Sequence, residues 1–73
     1  MPQVPLWHYK KVIKVLEKFG YVVARQKGSH IRLSNPDRDA VTIPAHNPVA
    51  RGTLRKILRD AGLSIEELLK EAE

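Results

Sequence analysis

The hydrophobic period of this chain changes from helical to two-residue and back again, a pattern that points to a mixed α+β fold. From His8 to Phe19, the residues Tyr9, Val12, Ile13, Leu16 and Phe19 fall at helical spacing, with Lys10, Lys11, Lys14 and Lys18 mostly on the remaining arc. Gly20 follows where a left-handed residue usually ends a helix. Tyr21 to Arg25 is rich in β-formers and predicts a first strand. Lys27-Gly28-Ser29 supplies a short turn, after which Ile31 and Leu33 alternate with His30, Arg32 and Ser34. That predicts a half-buried second strand with His30 on its polar face. Turn formers crowd Asn35 to Asp39, and Val41 and Ile43 then alternate with Ala40 and Thr42 until Pro44 stops a third antiparallel strand. Ala45 to Val49 reads as a loop. Helical spacing returns at Leu54, Ile57, Leu58 and Ala61 and ends at Gly62, and Ser64 with Glu67 in capping-box spacing opens a short third helix, Ile65 to Glu71.

The order α-β-β-β-α with a short C-terminal helix predicts a two-layer sandwich. Both main helices share one face of a three-stranded antiparallel sheet and leave the other face wet. The expected core is Val12, Ile13, Leu16, Phe19, Val22, Ala24, Ile31, Leu33, Val41, Ile43, Leu54, Ile57, Leu58, Ala61 and Leu63. Trp7 and Tyr21 are expected to pack beside it, and Leu68 and Leu69 to cover its edge. With 73 residues and no cysteine, one domain spanning 1–73 must be held by apolar packing, without disulfides or a thiolate metal cluster. Apolar and charged fractions of 42% and 29% match globular averages and argue against disorder. No apolar stretch approaches the roughly 20 residues that cross a bilayer. Met1 to Gln26 lacks the charged-then-apolar order of a secretory signal. The expectation is a cytoplasmic protein with no membrane partner.

Charge is distributed unevenly. Residues 10 to 59 carry 12 Lys or Arg against three acids, a local +9, whereas the tail from Asp60 holds five acids against Lys70. The folded body is therefore more basic than the net +5 suggests, which points to a polyanionic partner, nucleic acid first. Three dispersed histidines with no acidic cluster beside them make neither a metal site nor a cofactor site. His8, just ahead of the first helix, reads as a terminus residue.

Three runs, Arg25 to His30, Val41 to His46 and Arg51 to Ser64, together with the junction Leu16 to Tyr21, resemble the HicA-type mRNA-interferase family. The likeness covers roughly residues 10 to 67 in uninterrupted order. It implies the toxin of a type II toxin–antitoxin pair, a double-stranded-RNA-binding-like fold, endonuclease cleavage of mRNA, and neutralisation by a HicB-type antitoxin. The family's catalytic histidine lies in the Gly-Ser-His block and carries over to His30. One position departs: many members have a second histidine directly after the first, and here it is Ile31. Strand alternation turns Ile31 into the core, so the solvent-facing position is kept.

Cleaving RNA without metal needs a base for the 2′-hydroxyl proton, an acid for the leaving 5′-oxygen, and positive charge beside the phosphorus. An ordinary imidazole titrates near pH 6.5 and suits both proton roles. Lys27 and Arg32 flank His30, and Arg25 lies two residues before Lys27, so the charge is at hand. Gly28 and Ser29 offer backbone N–H groups, and Ser29 a hydroxyl, to a phosphate oxygen. Arg51, Arg55 and Arg59 form a stripe on the second main helix, with Lys56 beside it, suited to RNA phosphates. His46 stands equally as a partner acid or RNA contact and as a local loop residue. The other readings are a non-catalytic RNA-binding module of the same fold, and a basic face that serves a protein partner alone.

Overall fold

In the computed structural model, which describes residues 3–73, the elements run α1 (Tyr9–Glu17), β1 (Val22–Lys27), β2 (His30–Ser34), β3 (Val41–Pro44), α2 (Arg51–Ala61) and α3 (Ile65–Glu71). Met1 and Pro2, part of the expected 1–73 domain, lie outside the described residues. The expected α-β-β-β-α order with a short third helix is therefore present. The strands form one antiparallel sheet in the order β1-β2-β3. Ile31, Leu33, Val41 and Ile43 are buried, while His30, Arg32 and Thr42 between them are exposed, so only one face of the sheet is covered. Val12, Val15 and Leu16 of α1, and Leu54, Ile57, Leu58 and Ala61 of α2, bury that face.

Local chemistry sets the ends of these elements. His8 caps α1, its Nδ1 accepting from the Lys10 N–H at 3.1 Å. Gly62 ends α2 in the left-handed conformation (φ 71°), and the Arg38 guanidinium donates to the Ala61 carbonyl at 2.9 Å, satisfying an end-of-helix oxygen. Ser64 and Glu67 close the expected capping box: the Glu67 N–H donates to Ser64 Oγ at 3.0 Å, and the Ser64 N–H to Glu67 Oε1 at 2.9 Å. Donation from the Ser64 N–H, with the Ser64 side chain beside it, holds the Glu67 carboxyl below its ordinary pKa. The segment ahead of α1 is tied to the β3–α2 loop by a Val49 N–H to Trp7 O bond of 2.8 Å. Lys11 Nζ lies 4.7 Å from the centre of the half-buried Trp7 ring.

Two expected core residues, Val22 and Ala24, are exposed. The cause is an irregularity in β1. Val23 pairs with Leu33, but the register shifts by one before Arg25, which pairs with Arg32 and leaves Ala24 as a bulge. Val23 thus shares the helix-side face with Leu33, whereas Lys27, four residues on, shares the open face with His30. Plain alternation would put both on one face; the extra residue re-phases the strand. No helix among the described residues covers β1, and all six of its residues are exposed. The strand also starts and ends later than the expected Tyr21 to Arg25. Tyr21 is instead buried in the core, and its hydroxyl donates to the Asp39 carbonyl at 2.8 Å. Burial pushes its pKa up. Ile13 and Phe19 are only half-buried, at the margin of α1, while Val4, Val15, Val49 and Leu68 join the core.

Candidate functional site

The β1–β2 hairpin places the basic residues. Lys27 pairs with His30, leaving a two-residue loop of Gly28 and Ser29. Gly28 has φ +58° and Ser29 does not have a positive φ, the sign pattern of a type II′ hairpin turn with glycine first. The Gln26 side-chain amide donates to the Gly28 carbonyl at 3.1 Å. On the far side, the Ala45 N–H donates to the Ser29 carbonyl at 2.7 Å, so the end of β3 is fastened to the same turn. His30 therefore begins the middle strand with Lys27 opposite on β1 and Pro44 opposite on β3.

Residues paired across a sheet point to the same face. Arg25 opposes Arg32, and Arg32 in turn opposes Thr42. The outcome is an open concavity of about 210 Å³ lined by Arg25, Lys27, His30, Arg32 and Thr42, with no carboxylate among its lining residues. This is smaller than the roughly 300–1,000 Å³ of pockets that enclose a drug-sized ligand. It suits a single group crossing the face, such as one phosphate with its ribose. Arg32 Nη1 donates to Thr42 Oγ1 at 3.2 Å, which aims one guanidinium across the concavity floor. Thr42 was not singled out by its sequence position; only the register reveals it.

Arg25 opposite Arg32 sets like charge against like charge, an arrangement that costs a sheet stability. An anion bound between them would offset that repulsion.

The remaining basic residues lie elsewhere. Arg55 and Arg59 border a different groove of about 470 Å³, together with Gln3, Val4, Leu58, Leu63 and Ile65. Arg51 is exposed at the start of α2, and its Nε donates to the Val4 carbonyl at 2.9 Å, pinning the N-terminal segment. Lys56 forms a surface ion pair with Asp60 at 3.2 Å. His46 is exposed in the loop after β3, its carbonyl accepting from the Tyr9 N–H at 3.2 Å. It follows directly on Ala45, the residue bonded to the hairpin turn. The sheet thus gathers Arg25, Lys27, His30 and Arg32 but not the α2 stripe. Among the described residues no three His, Cys, Asp or Glu form a group able to hold a metal ion. No helix among them is long and apolar enough to cross a membrane.

The family model described as HicA toxin of bacterial toxin-antitoxin matches residues 9–63, from the first residue of α1 to just past α2. No curated protein matches the chain.

Proposed function

Because the chain belongs to the HicA toxin family of bacterial toxin–antitoxin systems, we propose that it is a single-domain, metal-independent endoribonuclease that cleaves mRNA, with His30 as general acid and base. The observation that carries this reading is the concavity itself: one imidazole among three cations, on the uncovered face of the sheet, with no acid to neutralise them. In the reaction, His30 accepts the 2′-hydroxyl proton as the 2′-oxygen attacks phosphorus. The bond from phosphorus to the 5′-oxygen breaks, and the departing oxygen takes a proton back from the imidazolium. The products are a 2′,3′-cyclic phosphate and a 5′-hydroxyl end. General acid–base catalysis of this kind contributes about 10²–10⁴-fold. Arg25, Lys27 and Arg32 stabilise the charge that builds on the phosphoryl oxygens, with the Gly28 and Ser29 N–H groups of the adjoining turn, which does not line the concavity, as further donors. His46 and the α2 residues Arg51, Arg55, Lys56 and Arg59 extend the RNA path outside the concavity. Acting on mRNA, the protein works in the cytoplasm and is held inactive by a HicB-type antitoxin.

The test is cleavage of a long single-stranded RNA by wild-type and His30→Ala protein in EDTA, with binding followed in parallel. Cleavage by wild type alone, with RNA affinity kept by both, is the expected result. Equal cleavage by both moves the active site away from His30, and binding without cleavage by either leaves a non-catalytic RNA-binding module. Loss of wild-type activity in EDTA overturns the metal-free mechanism.

A further inference from the structure

The outer side of β1 is an open sheet edge: β2 pairs its inner side, and no strand of this sheet pairs the other. Edge strands are usually blunted by charges, prolines or bulges. Here the bulge at Ala24 and the cations Arg25 and Lys27 lie towards the turn, leaving Val22 and Val23 as an extended, uncharged start to the edge. These two residues are 59% and 48% exposed, and with Leu6 they are the large apolar residues left open among the described residues. The edge therefore has two parts, an apolar one followed by a cationic one.

We propose that β1 receives an extended acidic segment of a protein partner as a fourth strand, with apolar side chains at two successive positions, one beside Val22 on the open face and one beside Val23 on the helix-side face, and carboxylates on the open face against Arg25 and Lys27. This rests on reading the chain as the toxin of a pair. Backbone N–H and C=O groups along an open edge supply the affinity in strand addition, and alternate side chains supply the specificity. RNA satisfies the cationic half but offers no apolar complement to the valines. A second copy of this +5 chain brings cations of its own to a cationic edge. A strand with carboxylates at alternate positions and two adjacent apolar residues beyond them satisfies both halves. Its carboxylates would occupy two of the cations that line the His30 concavity, so such a partner displaces RNA without touching the imidazole.

The probe is a short capped peptide that begins with glutamate at alternate positions and ends in two adjacent valines, the order that antiparallel pairing with β1 requires, with the same peptide N-methylated at alternate amides as control. Binding is read by fluorescence anisotropy, and its location by hydrogen exchange of β1 amides; neither depends on cleavage. The unmodified peptide should bind, protect β1 and compete with RNA. The N-methylated peptide, or the variant Val22→Ser/Val23→Ser with the unmodified peptide, should bind at least roughly tenfold more weakly, while that variant keeps its RNA affinity. Equal binding of both peptides, protection outside β1, no binding at all, or protection of Val22 and Val23 by an RNA oligonucleotide overturns the proposal. Self-association of the protein through β1 also overturns it. Peptide binding at β1 by a protein that does not cleave RNA sinks the ribonuclease reading and leaves this one standing.

Discussion

Replacing Arg25 and Lys27 together by threonine removes charge from the open face while keeping residues that favour a strand. On single-stranded RNA each phosphate contact contributes about 0.7 to the slope of log affinity against log salt. The concavity holds three cations, Arg25, Lys27 and Arg32, so its share of the slope is about 2.1, and that share weakens binding about 20-fold between 50 and 200 mM salt. In Arg25→Thr/Lys27→Thr only Arg32 remains, the share drops to about 0.7, and the same change of salt costs about threefold. Anisotropy titrations of a labelled single-stranded RNA, in a His30→Ala background so that the RNA stays intact, measure both slopes. Arg55→Ala/Arg59→Ala is the comparison, because those residues border a separate groove. An unchanged slope in the β1 variant, with a flattened slope in the α2 variant, would refute the assignment and move the RNA path onto α2. The structure adds a second readout. Removing Arg25 relieves its opposition to Arg32, so Arg25→Thr alone should hold or raise stability, by up to about 1 kcal/mol.

Gly28→Ala meets no atom within 4 Å but forces a Cβ onto a backbone with φ +58°, which should cost about 1–2 kcal/mol in a denaturant titration; no loss would mean that the turn relaxes. Tyr21→Phe removes the bond to the Asp39 carbonyl and should cost about 0.5–1.5 kcal/mol, whereas Tyr21→Ala, which empties a core position, should cost about 3–5 kcal/mol; similar losses would show that the hydroxyl, not the ring, dominates. Ser64→Ala should cost about 1 kcal/mol through the lost cap, detected as faster amide exchange in α3. Glu67 has a depressed pKa in the fold, so its contribution is complete above its unfolded value and is lost as pH falls below about 4.5 through the folded one. Glu67→Gln should remove that part of the acid sensitivity, and an unchanged acid limb would assign it to other carboxylates.

The helices were legible because each repeats an apolar face over several turns. The capping box at Ser64 and Glu67 could be read from spacing alone and forms as read. The middle and third strands were equally clear, since Ile31 and Leu33, then Val41 and Ile43, keep a strict two-residue period. The first strand was misread at Val22 and Ala24 because a bulge leaves no mark in composition; it becomes visible only when both ends of the strand are held, by Leu33 and by His30. Val4 and Val49 escaped notice as lone apolar residues in irregular segments, where no period exists to flag them. Of the candidate site, Lys27, His30 and Arg32 were brought together by their closeness in sequence. Thr42 needed the register, and the separation of Arg55 and Arg59 from the His30 concavity needed the packing of α2.

His30 and Arg32 sit on the strand paired along both sides, whereas Arg25 and Lys27 sit on one paired along a single side. Local opening is easiest where structure is least enclosed. A brief detachment of β1 would carry away two of the three positive charges and leave the imidazole where it was. In the proposed reaction, grip and chemistry therefore fall to parts of unequal permanence. A cut strand would then be let go by loosening the margin of the sheet, with the reacting centre already set for the next one.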